Sequence, residues 1–265
     1  QRAHADLFAI DETVDSGNLA LGLVNAGLPE AAVVFGDRQY KLSKAANDAQ
    51  TQAIALLINM TADLQVLDGA KALARLKDGD ALAWDSLDPE IVLDRWLYEA
   101  MAAYLADPGA LPALQQRVDA YQAKHGMTAG LLSRVHYIHA LAAAANGRKG
   151  DADAALKAAA LAGHLDDDGD LELRMAPMLI ALRDQDATAA TLALKGYDPV
   201  KTQDAAILRS YAQWMRQTGD TASAQRAEAR LAQLQKQGRD SLASAGLDPN
   251  HPFGGAAAVA AGNGG

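Results

Sequence analysis

The chain has 265 residues, of which 50% are hydrophobic and only 5% aromatic, with a formal net charge of −9 and no cysteine. The lack of cysteine excludes disulfides, cysteine-ligated zinc and thiol catalysis, and the acidic charge argues against nucleic acid as a partner. No apolar run reaches the ~18–20 residues that cross a bilayer, so we expect no transmembrane span.

The first residue is Gln1 rather than methionine, which indicates either a truncation or a processed mature end. On this basis we expect a bacterial envelope protein, periplasmic or associated with the outer membrane, with a possible lipid anchor before residue 1. A cytoplasmic location is the alternative. Residues 1–14 are predicted to form a capping helix or an entry segment.

Six short turns with helical sequence on both sides divide the chain. They lie around Gly27, Gly69, Gly109, Gly150, Asp184 and Gly219, at intervals of 42, 40, 41, 34 and 35 residues. A period of this size is typical of stacked helical hairpins. We therefore predict an all-α fold, a right-handed α-solenoid of about six helix-turn-helix hairpins.

Apolar residues at helical spacing predict the buried faces of these hairpins. In the helix that ends near Leu67 the expected stripe is Ile54, Leu57, Ile58, Leu64 and Leu67, and in the helix over residues 91–105 it is Leu93, Trp96, Leu97, Ala100, Met101 and Tyr104. Residues 78–90 form a predicted connection whose Trp84 folds back onto the hairpins. Pro177 lies inside a predicted helix, where it kinks the helix or marks a later start.

The last three units resemble tetratricopeptide repeats. They have periods of 34 and 35 residues, and in the last unit Tyr211-Ala212, the Gly219-Asp220 turn and Ala224 occupy positions typical of that family. Ala155 and Ala189 hold the small-residue position in the two units before it, whereas the family's tryptophan is missing. We predict a helical-repeat domain over residues 1–237, with degenerate hairpins over 1–128, a tetratricopeptide-like part over 129–237, and an irregular Gly/Ala-rich tail over 238–265.

The resemblance implies a peptide-binding groove lined by the first helix of each hairpin. Carried over by register, the groove positions are Tyr137, Arg174, Arg209, Gln213 and Arg216. Arginines along one groove can clamp a carboxylate or an acidic peptide through forked hydrogen bonds. The alternative is an ordinary solvated helix face.

Two other patterns invite a chemical interpretation. His136 and His139 are spaced to face one metal ion, but no further ligand completes a site. Residues 164–174 resemble a calcium-binding EF-hand loop, although Met175 stands where the bidentate glutamate belongs. Because there is no nucleophile elbow and no phosphate-binding loop, we predict no enzyme activity, no cofactor and no bound metal.

The predicted function is a non-enzymatic scaffold or adaptor that binds a peptide or a partner subunit along the helical-repeat groove. One alternative is a structural subunit of a larger complex or filament, with the C-terminal tail on a neighbour. A third interpretation is a metal-dependent enzyme or sensor that uses His136 and His139 or the acidic residues of 164–174.

Overall fold

The computed structural model describes residues 2–163, 171–198 and 205–247, and the regular elements in these ranges are all helical. The predicted all-α class is therefore confirmed for the described residues. The α-helices are α1 (Arg2–Asn25), α2 (Pro29–Ala45), α3 (Ala49–Gln65), α4 (Gly69–Asp78), α5 (Pro89–Ala106), α6 (Leu111–Gln122), α7 (Ala129–Ala145), α8 (Lys149–Ala162), α9 (Leu171–Asp184), α10 (Ala187–Ala193), α11 (Ala205–Gln217) and α12 (Thr221–Ser244). Two short 3-10 turns lie at Trp84–Ser86 and Pro108–Ala110.

The helices pack in neighbouring pairs along the chain, from α1 with α2 to α11 with α12. Each odd-numbered helix also contacts the next odd-numbered helix, so that α1, α3, α5, α7, α9 and α11 form a continuous row. We call this arrangement the odd-helix row. It brings side chains that are far apart in sequence onto one surface.

Several turns between helices share one local structure, a residue in the left-handed region followed by an aspartate that caps the next helix. The pairs are Asn47-Asp48, Leu67-Asp68, Gln185-Asp186 and Gly219-Asp220, with φ of 56°, 59°, 54° and 86° at the first residue. Each aspartate accepts hydrogen bonds from backbone N–H groups that have no partner inside the helix. The turns predicted at Gly69 and Asp184 are therefore centred on Leu67 and Gln185.

The largest hydrophobic cluster extends from α3 to α11 and contains the whole predicted stripe of α5. Trp84 is buried and its Nε1 donates to the Gly79 carbonyl at 2.9 Å, which confirms that the connection before α5 folds back onto the helices. Pro177 lies within α9, which is continuous from Leu171 to Asp184. The core thus follows helical periodicity through most of the chain.

Both ends of the described chain differ from the prediction. The first helix is a single element from Arg2 to Asn25, without a break after residue 14. The last helix continues through Gly238 to Ser244, so the tail boundary predicted at residue 238 is corrected. The helix persists because Leu242 is 3% exposed and packs with Ala20 of α1. Residues 248–265 of the predicted tail lie outside the described residues.

The last helical pair contacts the first. Helix α11 packs against α1 and α3, and the Arg209 guanidinium donates from Nη1 to the Gln65 carbonyl at 2.9 Å. From α12, Gln235 Nε2 donates to the Gly27 carbonyl at 3.0 Å. In a solenoid each repeat contacts only its neighbours, so this contact departs from the predicted α-solenoid.

Within the described ranges, none of the helices combines the length and the apolar character needed to cross a bilayer. The expectation of no transmembrane span is confirmed for this part of the chain.

Candidate partner-binding site

The five residues predicted to line a groove have different surroundings in the structure. Tyr137 is 2% exposed and belongs to the main hydrophobic cluster. Because the odd-numbered helices pack closely against one another, its ring is enclosed by neighbouring helices. Tyr137 is thus a core residue in this structure rather than a groove residue.

Arg174 and Arg209 both donate to backbone carbonyl groups. Arg174 Nη1 donates to the carbonyls of Ala193 and Lys195 at 2.9 and 2.8 Å, at the end of α10. Arg209 donates to Gln65 across the contact between the last and first pairs, and its burial lowers the pKa of the guanidinium from its usual value. The side chain of Arg174 thus binds the C-terminal end of α10, and that of Arg209 binds the C-terminal end of α3.

Arg216 and Gln213 lie on α11, nearer the surface. Arg216 is exposed and forms a two-pronged ion pair with Glu228 of α12, with Nε and Nη2 donating at 2.7 and 2.8 Å. Gln213 is half-buried. None of the five predicted residues lines either of the two cavities described below.

His136 and His139 lie near each other, with ring centroids 6.4 Å apart. His139 Nε2 is 2.7 Å from Asp119 Oδ1, and burial together with the neighbouring His139 lowers the pKa of His136. Among the residues that the structure describes, no group of three or more His, Cys, Asp or Glu side chains is placed to hold a metal ion. The EF-hand-like residues 164–170 lie outside the described part of the chain.

An apolar cavity of about 200 Å³ opens on the odd-helix row, between α1, α3 and α5. We call it the odd-helix pocket. Its lining residues are Leu21 and Val24 of α1, Ile54, Leu57, Ile58 and Thr61 of α3, and Ile91, Asp94 and Tyr98 of α5. Engineered apolar cavities of about 150 Å³ bind benzene, so this pocket has room for one leucine-sized or phenylalanine-sized side chain.

The pocket combines a buried floor with an exposed apolar rim. Leu57, Ile91 and Tyr98 are buried, whereas Leu21 and Ile54 are 47% and 36% exposed. Large aliphatic side chains exposed beside a cavity are typical of interaction sites, since a partner removes them from water when it binds. The predicted stripe of α3 thus divides, with Leu57 and Leu64 in the core and Ile54 at the rim.

An ion-paired cluster borders the pocket on the α5 side. Arg134 of α7 has an 8% exposed side chain, and its Nη2 lies 2.9 Å from Glu90 Oε1 while its Nε donates to Asp94 Oδ1. Asp94 therefore faces the pocket with its position fixed by an arginine from the next odd-numbered helix. The side chain of Glu90 is 62% exposed.

The pocket is linked through Gln65 to the contact between the last and first helical pairs. The buried Gln65 Nε2 donates to the carbonyl of Val24 at 2.7 Å, and Val24 lines the pocket. The Gln65 carbonyl in turn accepts from Arg209 of α11. One side of the pocket is therefore held by hydrogen bonds that reach the last helical pair.

A second cavity, an open groove of about 450 Å³, lies between α1 and α12. Its lining includes Leu19 and Leu23 on one side and Leu234 and Leu242 on the other, with glycines at Gly22 and Gly238. We call it the α1–α12 groove. Its lining has no charged residue, and its polar members are the neutral side chains of Asn18, Asn25, Gln237 and Ser241.

The residues of the odd-helix pocket were not among the predicted site residues, although α3 carries a signal for them. The sequence has no charged residue from Ala49 to Ala62, including positions that face outward. A helix on the surface of a globular protein normally has a charged face, so a helix with an outward isoleucine and no charged residue before Asp63 indicates a covered or binding surface.

The chain was compared with family models, curated proteins and solved structures, and none of the three comparisons gives a match.

Proposed function

We propose that this chain is a non-enzymatic adaptor that binds a peptide segment of a protein partner in the odd-helix pocket. The observation that carries the proposal is the composition of the lining, since six of its nine residues are aliphatic and two of these, Leu21 and Ile54, are 47% and 36% exposed. A partner side chain placed there would cover apolar surface that is now in contact with water.

The polar lining residues of the pocket are Thr61, Asp94 and Tyr98. Asp94 is ion-paired with Arg134, and Tyr98 is 3% exposed. A carboxylate held in place by an arginine can orient the polar groups of a ligand. The odd-helix pocket therefore combines an apolar surface with a carboxylate whose position is fixed.

We also propose that the helical pairs form a tetratricopeptide-like array in the C-terminal half. Support comes from the small residues at the family positions, since Ala189 and Ala224 are fully buried and Ala155 is half-buried between helices. Such arrays present the first helix of each pair to partners. The proposed pocket lies on the corresponding helices of the N-terminal half. The bacterial envelope remains a prediction from the sequence.

The test is a selection of peptide ligands. A random library of 12-residue peptides displayed on phage is sorted on the purified chain and counter-selected on the Ile54→Glu variant. Ile54 is 36% exposed, so we expect the variant to retain its fold with the new carboxylate in the apolar rim. We expect peptides that bind the wild-type chain and lose at least about 10-fold in affinity for Ile54→Glu, because an unpaired charge is costly to bury.

The matched control is Leu161→Glu, which places the same charge at an 89% exposed position on α8, away from the pocket. Selected peptides should bind this variant as they bind the wild-type chain. If no selected peptide distinguishes the wild-type chain from Ile54→Glu, the pocket is not the binding site and the proposal is rejected.

A further inference from the structure

The chain leaves α12 beside the α1–α12 groove. Gly246 has a φ of 73°, and its N–H donates to the Ala243 carbonyl at 3.0 Å. The N–H of Leu247 donates to the Leu242 carbonyl at 2.8 Å. These two bonds form a Schellman motif, which ends the helix. Leu247 is half-buried and packs against the hydrophobic cluster that contains Leu23 and Leu242, and both of these residues line the groove.

The groove has a buried apolar floor and an exposed apolar rim. Leu23, Leu234 and Leu242 are 4%, 6% and 3% exposed, whereas Leu19 is 38% exposed. The volume of about 450 Å³ is several times that of engineered cavities that bind benzene, so the groove has room for a ring and a few small side chains. Because the lining has no charged residue, a charged occupant would lose its hydration without gaining an ion pair there. The groove therefore favours an uncharged apolar occupant.

The sequence supplies such a segment directly after the end of α12. From Pro249 onward it contains no Asp, Glu, Lys or Arg. Its apolar residues are Phe253 and a run from Ala256 to Ala261 that includes Val259. One aromatic ring followed by small apolar side chains matches both the size and the lack of charge of the groove.

We propose that the segment after Leu247 docks in the α1–α12 groove of the same chain, with Phe253 and Val259 packed against the leucines of the lining. The neutral side chains of Asn18, Gln237 and Ser241 can form hydrogen bonds with the backbone groups of an extended segment. This inference goes beyond the proposed adaptor function and does not depend on it. The docked segment adds a further contact between α1 and α12, and it leaves the odd-helix pocket as the site for a protein partner.

The segment is long enough to reach the whole groove. On α12 the lining extends from Leu234 to Ala245, which is about 17 Å of helix at 1.5 Å per residue. An extended chain advances about 3.3 Å per residue, so about five residues cover this length. The stretch from Leu247 to Phe253 therefore reaches the far end of the groove.

The covalent attachment favours this segment over other occupants. A short linker gives an attached segment an effective concentration of about 1 mM. A segment with a Kd of about 0.1 mM for the groove would then occupy it about 90% of the time. A segment of another molecule at micromolar concentration competes poorly with it.

The experiment measures how well the groove is covered in the full-length chain. The chain has no cysteine, so in Leu19→Cys a thiol reagent such as dithionitrobenzoate reacts at the rim of the groove alone. We expect slow reaction in this variant. Adding Phe253→Ser with Val259→Ser removes the apolar contacts of the segment and should speed the reaction about 10-fold, as for a groove that is covered about 90% of the time. A reaction rate that the two serine substitutions leave unchanged overturns the inference.

Two controls separate coverage of the groove from other effects. Leu161→Cys places the thiol at an 89% exposed position on α8, and its reaction rate should be the same with and without the two serine substitutions. Asn250→Ser changes a polar residue of the same segment and should leave the reaction of Leu19→Cys slow. Acceleration of the same size in either control contradicts docking through Phe253 and Val259.

Other locations of the segment give different results. Leu21 lies on the same helix as Leu19 but lines the odd-helix pocket. If the serine substitutions speed the reaction of Leu21→Cys and not that of Leu19→Cys, the segment occupies that pocket and the inference is wrong. Protection within one chain does not depend on protein concentration. Protection of Leu19→Cys that disappears on dilution means that the segment of a neighbouring chain covers the groove, which also overturns the inference.

Discussion

Asp186 illustrates how single residues set the helix boundaries. Its Oδ1 accepts from the backbone N–H groups of Thr188 and Ala189 at 2.8 and 3.1 Å, and its Oδ2 lies 3.0 Å from Lys149 Nζ. Burial disfavours the charged form, but the hydrogen bonds from Lys149, Ala189 and Thr188 outweigh it, so the pKa of Asp186 lies below its usual value. The carboxylate thus starts α10 and ties it to α8.

We predict that Asp186→Ala lowers the free energy of unfolding by about 1–2 kcal/mol at pH 7, as for other helix caps. Because the folded pKa is depressed, the stabilisation is fully present above the pKa of the unfolded chain. It is lost as the pH falls through the lower folded pKa. Urea unfolding at pH 7 and pH 3 measures the difference, with the exposed Asp151→Ala as control. An equal difference between Asp186→Ala and the wild-type chain at both pH values contradicts this account.

At the scale of elements, glycines determine how closely two helices approach. A Cβ added at Gly69 would lie 2.5 Å from the Ala102 carbonyl oxygen and 2.7 Å from the Leu105 Cβ, where α4 packs on α5. A backbone carbonyl cannot move aside as the end of a side chain can. In contrast, a Cβ added at Gly22 of α1 meets nothing within 4 Å.

We therefore predict opposite effects for the same substitution at these two sites. Gly69→Ala should destabilise the fold by about 1–3 kcal/mol through overpacking. Gly22→Ala should stabilise it by about 0.5–1 kcal/mol, because alanine is the better helix former. Thermal unfolding of both variants measures the two shifts. Equal shifts for the two variants would show that the α4–α5 approach is looser than described.

The helices show which parts of the structure could be predicted from sequence. The α5 stripe from Leu93 to Tyr104 could be predicted because helical periodicity records a face buried against neighbours. Ile54 and Leu57 have the same periodicity, yet only Leu57 is buried, since exposure depends on where α1 and α5 lie across α3. The sequence does not predict the left-handed backbone at Leu67, because glycine is the residue expected in that conformation and the nearest glycine is Gly69.

At the scale of the whole molecule, the contact between the last and first pairs depends on polar groups from distant parts of the chain. Arg209 and Gln235 donate to carbonyls of Gln65 and Gly27. These contacts could not be predicted from the repeat pattern, because nearest-neighbour stacking carries no information about residues that are 144 and 208 positions apart in sequence.

We predict that removing both donors, in the double variant Arg209→Ala with Gln235→Ala, separates the last helical pair from the first. The chain has no cysteine, so pyrene can be attached selectively at Asn25→Cys and Gln237→Cys, which line the α1–α12 groove. Excimer emission, which requires the two rings to touch, should be strong in the otherwise unchanged chain and weak in the double variant.

The matched control for this experiment is Arg216→Ala, which breaks an ion pair inside the last helical pair without affecting α1 or α3. It should leave the excimer emission unchanged. If excimer emission survives in the double variant, the apolar contacts of Leu242 with α1 are sufficient to hold α12 in place without the hydrogen bonds of Arg209 and Gln235.

The most direct test of the central claim is isoleucine methyl NMR with a selected peptide. The chain has seven isoleucines, and three of them, Ile54, Ile58 and Ile91, line the odd-helix pocket. Ile138, Ile180 and Ile207 are buried in α7, α9 and α11 and report on the rest of the odd-helix row. We predict that adding the peptide shifts the methyl signals of the three pocket isoleucines and leaves those of Ile138, Ile180 and Ile207 in place. Shifts confined to Ile180 and Ile207 would place the binding site in the C-terminal half and contradict the account.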